Sequence, residues 1–275
     1  MSYYEMERYK KIDAHIHLLP SEKLEELKQY KDHPYQTASV ENYLKLMDEY
    51  NIEKALVMPM NDMYFYYNDP DKTNEFFGEL QKQYNQRFIA FADIVNTGAY
   101  FIEDTPLVLE KAIKEYKLKG LKIHPTNLNM DADDLKLIPV LRKAAELNIP
   151  VMIHSNPCRI GYNDNCAPDK INKMIKVFPD LDIITAHLGG MKYMDAISGC
   201  TFVDISYILP VLVKLHGVEQ TNRILRMFGT DRLIFGTDYP EGNLETYCDI
   251  LDQMDFTVEE MEQIAYKNII KILQL

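Results

Sequence analysis

Five of the chain's seven histidines stand at the ends of short runs of β-forming residues. His15 and His17 lie in IDAHIHL, His124 in GLKIHP, His154 in PVMIHSN and His187 in IITAHLG. A sixth run, LIFGTDYP, ends the same way in Asp238. Imidazole nitrogen and carboxylate oxygen are the donors that suit a Zn-like divalent ion. Side chains alternate across a strand, so His15 and His17 share one face. Alone, the HxH pair is a weak signal. Joined by His154, His187 and Asp238 at the same place in later runs, it points to a metal centre rather than to hydrogen-bonded core histidines.

The elements that must position these residues are strand-like runs near 11–17, 54–60, 88–95, 120–125, 150–155, 182–188, 201–206 and 233–238. Helical periodicity fills the gaps. Residues 106–118 put Val108, Leu109, Ala112, Ile113 and Tyr116 on one face, and 41–50 and 134–147 behave alike. The last helix opens on the capping-box pair Thr257 and Glu260 and should bury Met261, Ile264, Ile269, Ile272 and Leu273. Eight alternating β-α units close naturally into a (β/α)8 TIM barrel, here one domain over residues 1–275. The rival open sheet normally carries a Gly-rich phosphate loop, and neither GxGxxG nor GxxxxGK occurs. The longest connections, about 18–38 and 60–73, would overhang the C-terminal face. The second carries Tyr64, Phe65, Tyr66 and Tyr67, which could line a pocket or pack over the barrel top.

Composition narrows the function. With 47% apolar and 26% charged residues, the 275-residue chain can build a sizeable core. A net charge of −12 argues against nucleic acid, which needs a basic stripe. Cys158, Cys166, Cys200 and Cys248 form no CxxC pair and read as reduced thiols. No apolar stretch reaches the length of a membrane span, and the N-terminus has no signal core. The expectation is a cytoplasmic protein with a small-molecule substrate, no nucleic-acid or membrane partner, and self-association into a homo-oligomer left open.

The elements IDAHIHL, GLKIHP, PVMIHSN, IITAHLGG and IFGTDYP occur in the order found in the amidohydrolase superfamily. The chain most resembles its amidohydrolase-related branch, which includes aminocarboxymuconate-semialdehyde decarboxylase. The likeness runs from Ile12 to the closing AYKNIIKIL. It implies a metal held by His15, His17, His154 and Asp238. It makes His187 the strand-6 histidine that binds a metal in some members and holds the reactive water in others. The implied cofactor is one divalent ion, Zn or alternatively Mn. A Lewis-acid ion lowers the pKa of bound water to about 7 and polarises a carbonyl, and Asp238 or His187 can move the proton.

Lys122 shares a face with His124. Binuclear relatives such as dihydroorotases carry a carboxylated lysine at a similar place, bridging two metals. The branch resembled here keeps a KxH pair with one metal, so a charged Lys122 contacting substrate or Asp238 leads over a second, Lys-bridged ion and over a purely structural lysine. His124 is expected to support the metal ligands from behind or to line the pocket. Arg159, in the loop SNPCRIGYNDN, could clasp a substrate carboxylate or lie in solvent. Cys158 has no assigned histidine to activate it. Asn96 and Thr126 are polar candidates without a stronger mark. His33 and His216 lie outside the strand ends, and Tyr239 reads as structural.

Two chemistries compete. One is hydrolysis of a C–N or C–O bond next to a carbonyl, with metal-activated water and a proton shuttled by Asp238. The other is a lyase reaction, decarboxylation or hydration of a small unsaturated or aromatic acid, which a pocket-facing Arg159 would favour. The hydrolase is the main expectation and the lyase its alternative. A TatD-like nuclease would need a glutamate ligand near strand 4, where Lys122 and His124 stand. A barrel that kept only a binding role would be expected to lack ligands, and none is missing.

Overall fold

The computed structural model describes residues 5–62, 64–84, 86–94, 101–156 and 164–275. Among them lie eight strands: β1 (Lys11–Ile16), β2 (Ile52–Val57), β3 (Phe88–Ala92), β4 (Gly120–Ile123), β5 (Val151–Ile153), β6 (Ile183–Thr185), β7 (Phe202–Asp204) and β8 (Leu233–Ile234). They form one sheet in chain order, with helices alternating between them, so the expected (β/α)8 TIM-barrel fold is the observed one. The strands are buried almost throughout, as parallel strands covered on both faces must be.

The chain divides into two compact units, Met1–Leu56 with Asp204–Leu275, and Val57–Val203. In the first, the end of β8 is stitched to β1 by main-chain bonds: Ala14 N to Phe235 O at 3.0 Å, Asp238 N to His15 O at 2.8 Å and His17 N to Tyr239 O at 2.7 Å. The terminal helical segment is anchored to the same strand. Asn268 Nδ2 donates to Thr230 O and Leu233 O, each at 2.7 Å. Its capping box is present in both halves, Thr257 N to Glu260 Oε2 at 2.8 Å and Glu260 N to Thr257 Oγ1 at 3.2 Å. Met261, Ile264, Ile269 and Ile272 are buried as expected, while Leu273 is only half-buried.

In the second unit β3 to β7 pair in parallel, with Ala92 opposite Leu121, Lys122 opposite Met152 and Ile153 opposite Thr185. Gly120 has a packing reason: a Cβ there would sit 2.5 Å from the Phe91 ring, which lies across it. The helix expected at 106–118 runs instead over Phe101–Lys114. Its buried stripe is Phe101, Thr105, Leu109 and Ala112, whereas Val108, Ile113 and Tyr116 are half-buried. The period was legible, but its phase is set by residues before Pro106, where Thr105 Oγ1 bonds back to Phe101 O at 2.7 Å.

The aromatic connection after β2 divides its roles. Tyr66 is fully buried, with its ring 5.5 Å from Phe77 and its hydroxyl donating to Met58 O at 3.3 Å. Tyr64 is exposed and packs edge-on against Phe65. Cys166, Cys200 and Cys248 are buried thiols. No helix among the described residues is long and apolar enough to cross a membrane.

Candidate functional site

Two groups of metal-type donors occupy the ends of the strands, one in each compact unit. In the first, β1 and the turn after β8 bring together His15, His17 and Asp238, all buried. His17 Nε2 lies 3.1 Å and His15 Nε2 3.5 Å from the same oxygen, Asp238 Oδ1. The main-chain bonds that stitch β8 to β1 fix this register, because Asp238 N bonds to His15 O and His17 N to Tyr239 O. Asp238 sits at φ 65, a left-handed conformation that aspartate tolerates better than most residues.

His15 Nδ1 lies 2.9 Å from Asp204 Oδ2 and 3.2 Å from Ser206 Oγ, with both partners fully buried. A nitrogen facing a carboxylate at that distance carries the hydrogen, which leaves the lone pair on Nε2, toward Asp238. Ser206 N donates to Asp204 Oδ1 at 3.0 Å, and its hydroxyl bonds to the same oxygen. Gly236 leaves room for this packing: a Cβ there would lie 3.1 Å from His15 Cβ and 3.3 Å from Ser206 Cβ. Two imidazole nitrogens converging on one buried carboxylate oxygen, one of them backed by a second carboxylate, fit a divalent ion.

Beneath this group, Asp13 takes four hydrogen bonds. Thr237 N and His15 N donate to Oδ1 at 3.0 and 3.2 Å, and Thr237 Oγ1 and Tyr43 OH to Oδ2 at 2.6 and 2.7 Å. Complete burial still pushes its carboxyl up to about 6, against the lowering effect of these bonds. Tyr43 is raised well above its ordinary value by burial and by the Asp13 charge. Asp13 thus ties β1 to the residue before Asp238 and to the helix Val40–Glu49.

The second group is His124, His154 and His187, after β4, β5 and β6. The His124 and His154 rings stack at 3.8 Å with 14° between planes. His187 meets His154 edge-on, with Nε2 3.1 Å from His154 Nδ1. His187 begins a run of four left-handed residues, His187 to Gly190, in the turn that follows β6. Lys122 is fully buried on β4.

Several expected residues take other places. Thr126 Oγ1 donates to Asn165 Oδ1 at 3.1 Å. His33 Nδ1 caps a short helical turn by accepting from Tyr35 N, and His216 is exposed on a long helix. Tyr239 is buried against Tyr43, with its hydroxyl on Thr37 O. Arg159, Cys158 and Asn96 lie outside the described residues. The reading from sequence missed Asp13, Asp204, Ser206, Asn61 and Asp93. A signal existed for some. Asp13 is on the HxH face by simple alternation, and DIS at 204–206 repeats the polar alternation of a strand end.

Buried imidazole and carboxylate donors at the strand ends of a (β/α)8 barrel mark a barrel enzyme of metal-binding type. The chain belongs to the amidohydrolase family, the amidohydrolase 2 group, whose profile matches residues 12–275. No curated protein matches it by sequence. Its fold is similar to that of 5-carboxyvanillate decarboxylase from Novosphingobium aromaticivorans, solved with manganese and 4-hydroxy-3-methoxy-5-nitrobenzoic acid. The TM-score is 0.76 at 15% identity, covering 99% of this chain and 98% of that one. A dihydroxybenzoic acid decarboxylase from a Polaromonas species, with manganese and 2-nitroresorcinol, gives 0.74 at 16% identity and 97% of both chains. An uncharacterized TIM-barrel protein from Bordetella bronchiseptica gives 0.73 at 20% identity, covering 97% of this chain and 99% of that one.

Proposed function

We propose that this protein is a metal-dependent lyase that removes CO2 from a small aromatic or unsaturated carboxylic acid without an oxidant. The observation that carries the reading is the approach of His15 Nε2 and His17 Nε2 to one buried Asp238 oxygen, with His15 oriented by Asp204. Decarboxylases among proteins of the same fold, solved with manganese, favour the lyase over the hydrolase that is the main expectation from sequence. They also move the expected ion from Zn toward Mn, whose preference for oxygen ligands suits a carboxylate-rich substrate. We take residues 1–275 as one catalytic domain.

In this reading His15, His17, His154 and Asp238 hold one divalent ion. Once bound, the ion would anchor the substrate carboxylate or a neighbouring hydroxyl and draw electron density from the ring. Asp238 and His187 handle the proton. One of them, as the acid, gives it to the carbon bearing the carboxylate. The bond to the carboxylate then breaks, its electron pair returns to the ring, and CO2 leaves. Lys122, His124 and Arg159 are assigned to the substrate's anionic oxygens, where cations and N–H donors offset the charge.

The test is product analysis on protein reconstituted with Mn2+. Given 2,6-dihydroxybenzoate, 5-carboxyvanillate and related acids in 2H2O, the reading expects CO2 and a product deuterated at the vacated carbon. Turnover of lactones, esters or amides to water-addition products, with no CO2 from any acid, would return the protein to the hydrolases.

A further inference from the structure

Asn61, just beyond β2, and Asp93, just beyond β3, are both buried and lie outside every role described so far. Asn61 adopts a left-handed backbone, φ 50. Its Oδ1 accepts the main-chain N–H of His124 at 2.6 Å, and its Nδ2 donates to Asp93 Oδ1 at 2.6 Å. The amide's orientation follows from its partners, since a main-chain N–H can only donate. Asp93 is itself held at both main-chain atoms by Asn74 of the helix Pro70–Gln83. Asp93 N donates to Asn74 Oδ1 at 2.7 Å, and Asn74 Nδ2 to Asp93 O at 3.1 Å.

The same segment reaches the His124 ring. Asn127 Nδ2 donates to Met60 O at 2.7 Å, next to Asn61, and Asn127 N donates to His124 Nδ1 at 3.3 Å. Because Nδ1 accepts, the hydrogen of the neutral ring is on Nε2. Stacking on His154 fixes the plane in which that N–H lies. Asp93 Oδ2 is fully buried and receives no hydrogen bond among the described residues. A buried carboxyl with one oxygen left without a partner costs stability, and such a cost is common where a side chain is kept for positioning.

We propose that Asn61 and Asp93 are positioning residues for His124, which they hold as the Nε2–H tautomer. His124 then serves the substrate as a hydrogen-bond donor to an anionic oxygen, a carboxylate or phenolate, and not as a metal ligand or a base. Asp93 orients the Asn61 amide, and Asn61 sets the main chain at His124 so that Asn127 N can meet Nδ1. The assignment of His124 to substrate rests on the proposed decarboxylase reading; its tautomer does not.

Long-range 1H–15N correlation of the histidine rings tests this on the full chain, before and after addition of Zn2+, with His124 assigned by its loss in His124→Gln. The wild type should show His124 with the hydrogen on Nε2. Asn61→Leu and Asp93→Ala should give averaged tautomers. Asp93→Asn, which keeps an oxygen for the Asn61 amide, should restore the wild-type signal. With 2,6-dihydroxybenzoate as probe, Asn61→Leu should weaken binding about tenfold, the value of one lost charge-assisted hydrogen bond. A wild-type His124 carrying its hydrogen on Nδ1 would overturn the proposal. So would an unchanged His124 signal in Asp93→Ala, the variant that decides if Asn61→Leu does not fold. Failure of the wild type to bind the probe or Zn2+ would count against the decarboxylase reading instead, with the tautomer still deciding the role of Asn61 and Asp93.

Discussion

His15 Nδ1 stands 2.9 Å from Asp204 Oδ2, and both side chains are completely buried. The carboxylate fixes the hydrogen on Nδ1 and so directs the Nε2 lone pair at Asp238. Asp204→Asn should keep the barrel folded yet lower affinity for Mn2+ about 10–100-fold, the usual cost of losing such a partner. Isothermal titration of the metal into both proteins checks this; equal affinities would show that Asp204 does not orient His15 for metal.

Gly236 owes its identity to the same histidine. An alanine Cβ would press on His15 Cβ at 3.1 Å and on His15 N at 3.3 Å, so one of them must move. Gly236→Ala should cost about 1–3 kcal/mol by overpacking. It should also weaken metal binding, because the displaced group belongs to the proposed ligand set. Thermal unfolding with and without Mn2+ separates the two effects, and a variant with unchanged melting and metal affinity would show that His15 has slack.

Tyr43 reaches Asp13 from the helix Val40–Glu49 at 2.7 Å. Tyr43→Phe leaves the ring and removes one of four donors from a buried carboxyl. The expected loss is about 1–3 kcal/mol, or several degrees in Tm. An unaltered Tm would mean that the other three bonds suffice.

Burial pushes Asp93 up to about 7, with hydrogen bonds from Asn61 and the Ile94 main chain opposing it and the Asp62 charge adding to it. Tyr66 also feels the Asp93 charge, and Lys122 lies one step past Leu121, the β4 partner of Ala92. The folded chain therefore keeps a proton that the unfolded chain releases near 4, so this group's contribution to stability is full below about 4 and falls as pH rises toward 7. Asp93→Asn, neutral throughout, should lack that decline. Relative to wild type it should gain stability between pH 4 and 7, by on the order of a few kcal/mol at the upper end. Urea melts across that range decide it, and parallel curves for the two proteins would contradict the shift. Asp13, raised to about 6, slopes the same way in both proteins and cancels in the comparison.

Much of this was legible from sequence because period and position suffice for it. Alternation puts His15 beside His17, and eight runs with polar ends give the barrel and its active face. What was not legible depends on partners distant in sequence. Asp204 is 189 residues from His15, and nothing local says that they meet. Asn61 and Asp93 carry no metal-type pattern; their meaning lies in two bonds, to each other and to His124 N. Strand ends were overestimated for a physical reason: His187 and Asp238 belong to left-handed turns just past the ladder, which β-forming composition cannot register. The choice between lyase and hydrolase was also beyond the residues, since both chemistries use the same donors.

The proposed metal centre is tested most simply by metal content per chain after reconstitution with Mn2+ and removal of excess, for wild type, His15→Ala and Asp238→Asn. A metal centre on these residues should give about one ion per chain in the wild type and less than about a tenth of that in either variant, with circular dichroism unchanged. Equal content in all three, or none in the wild type, would contradict a metal centre built on His15, His17 and Asp238.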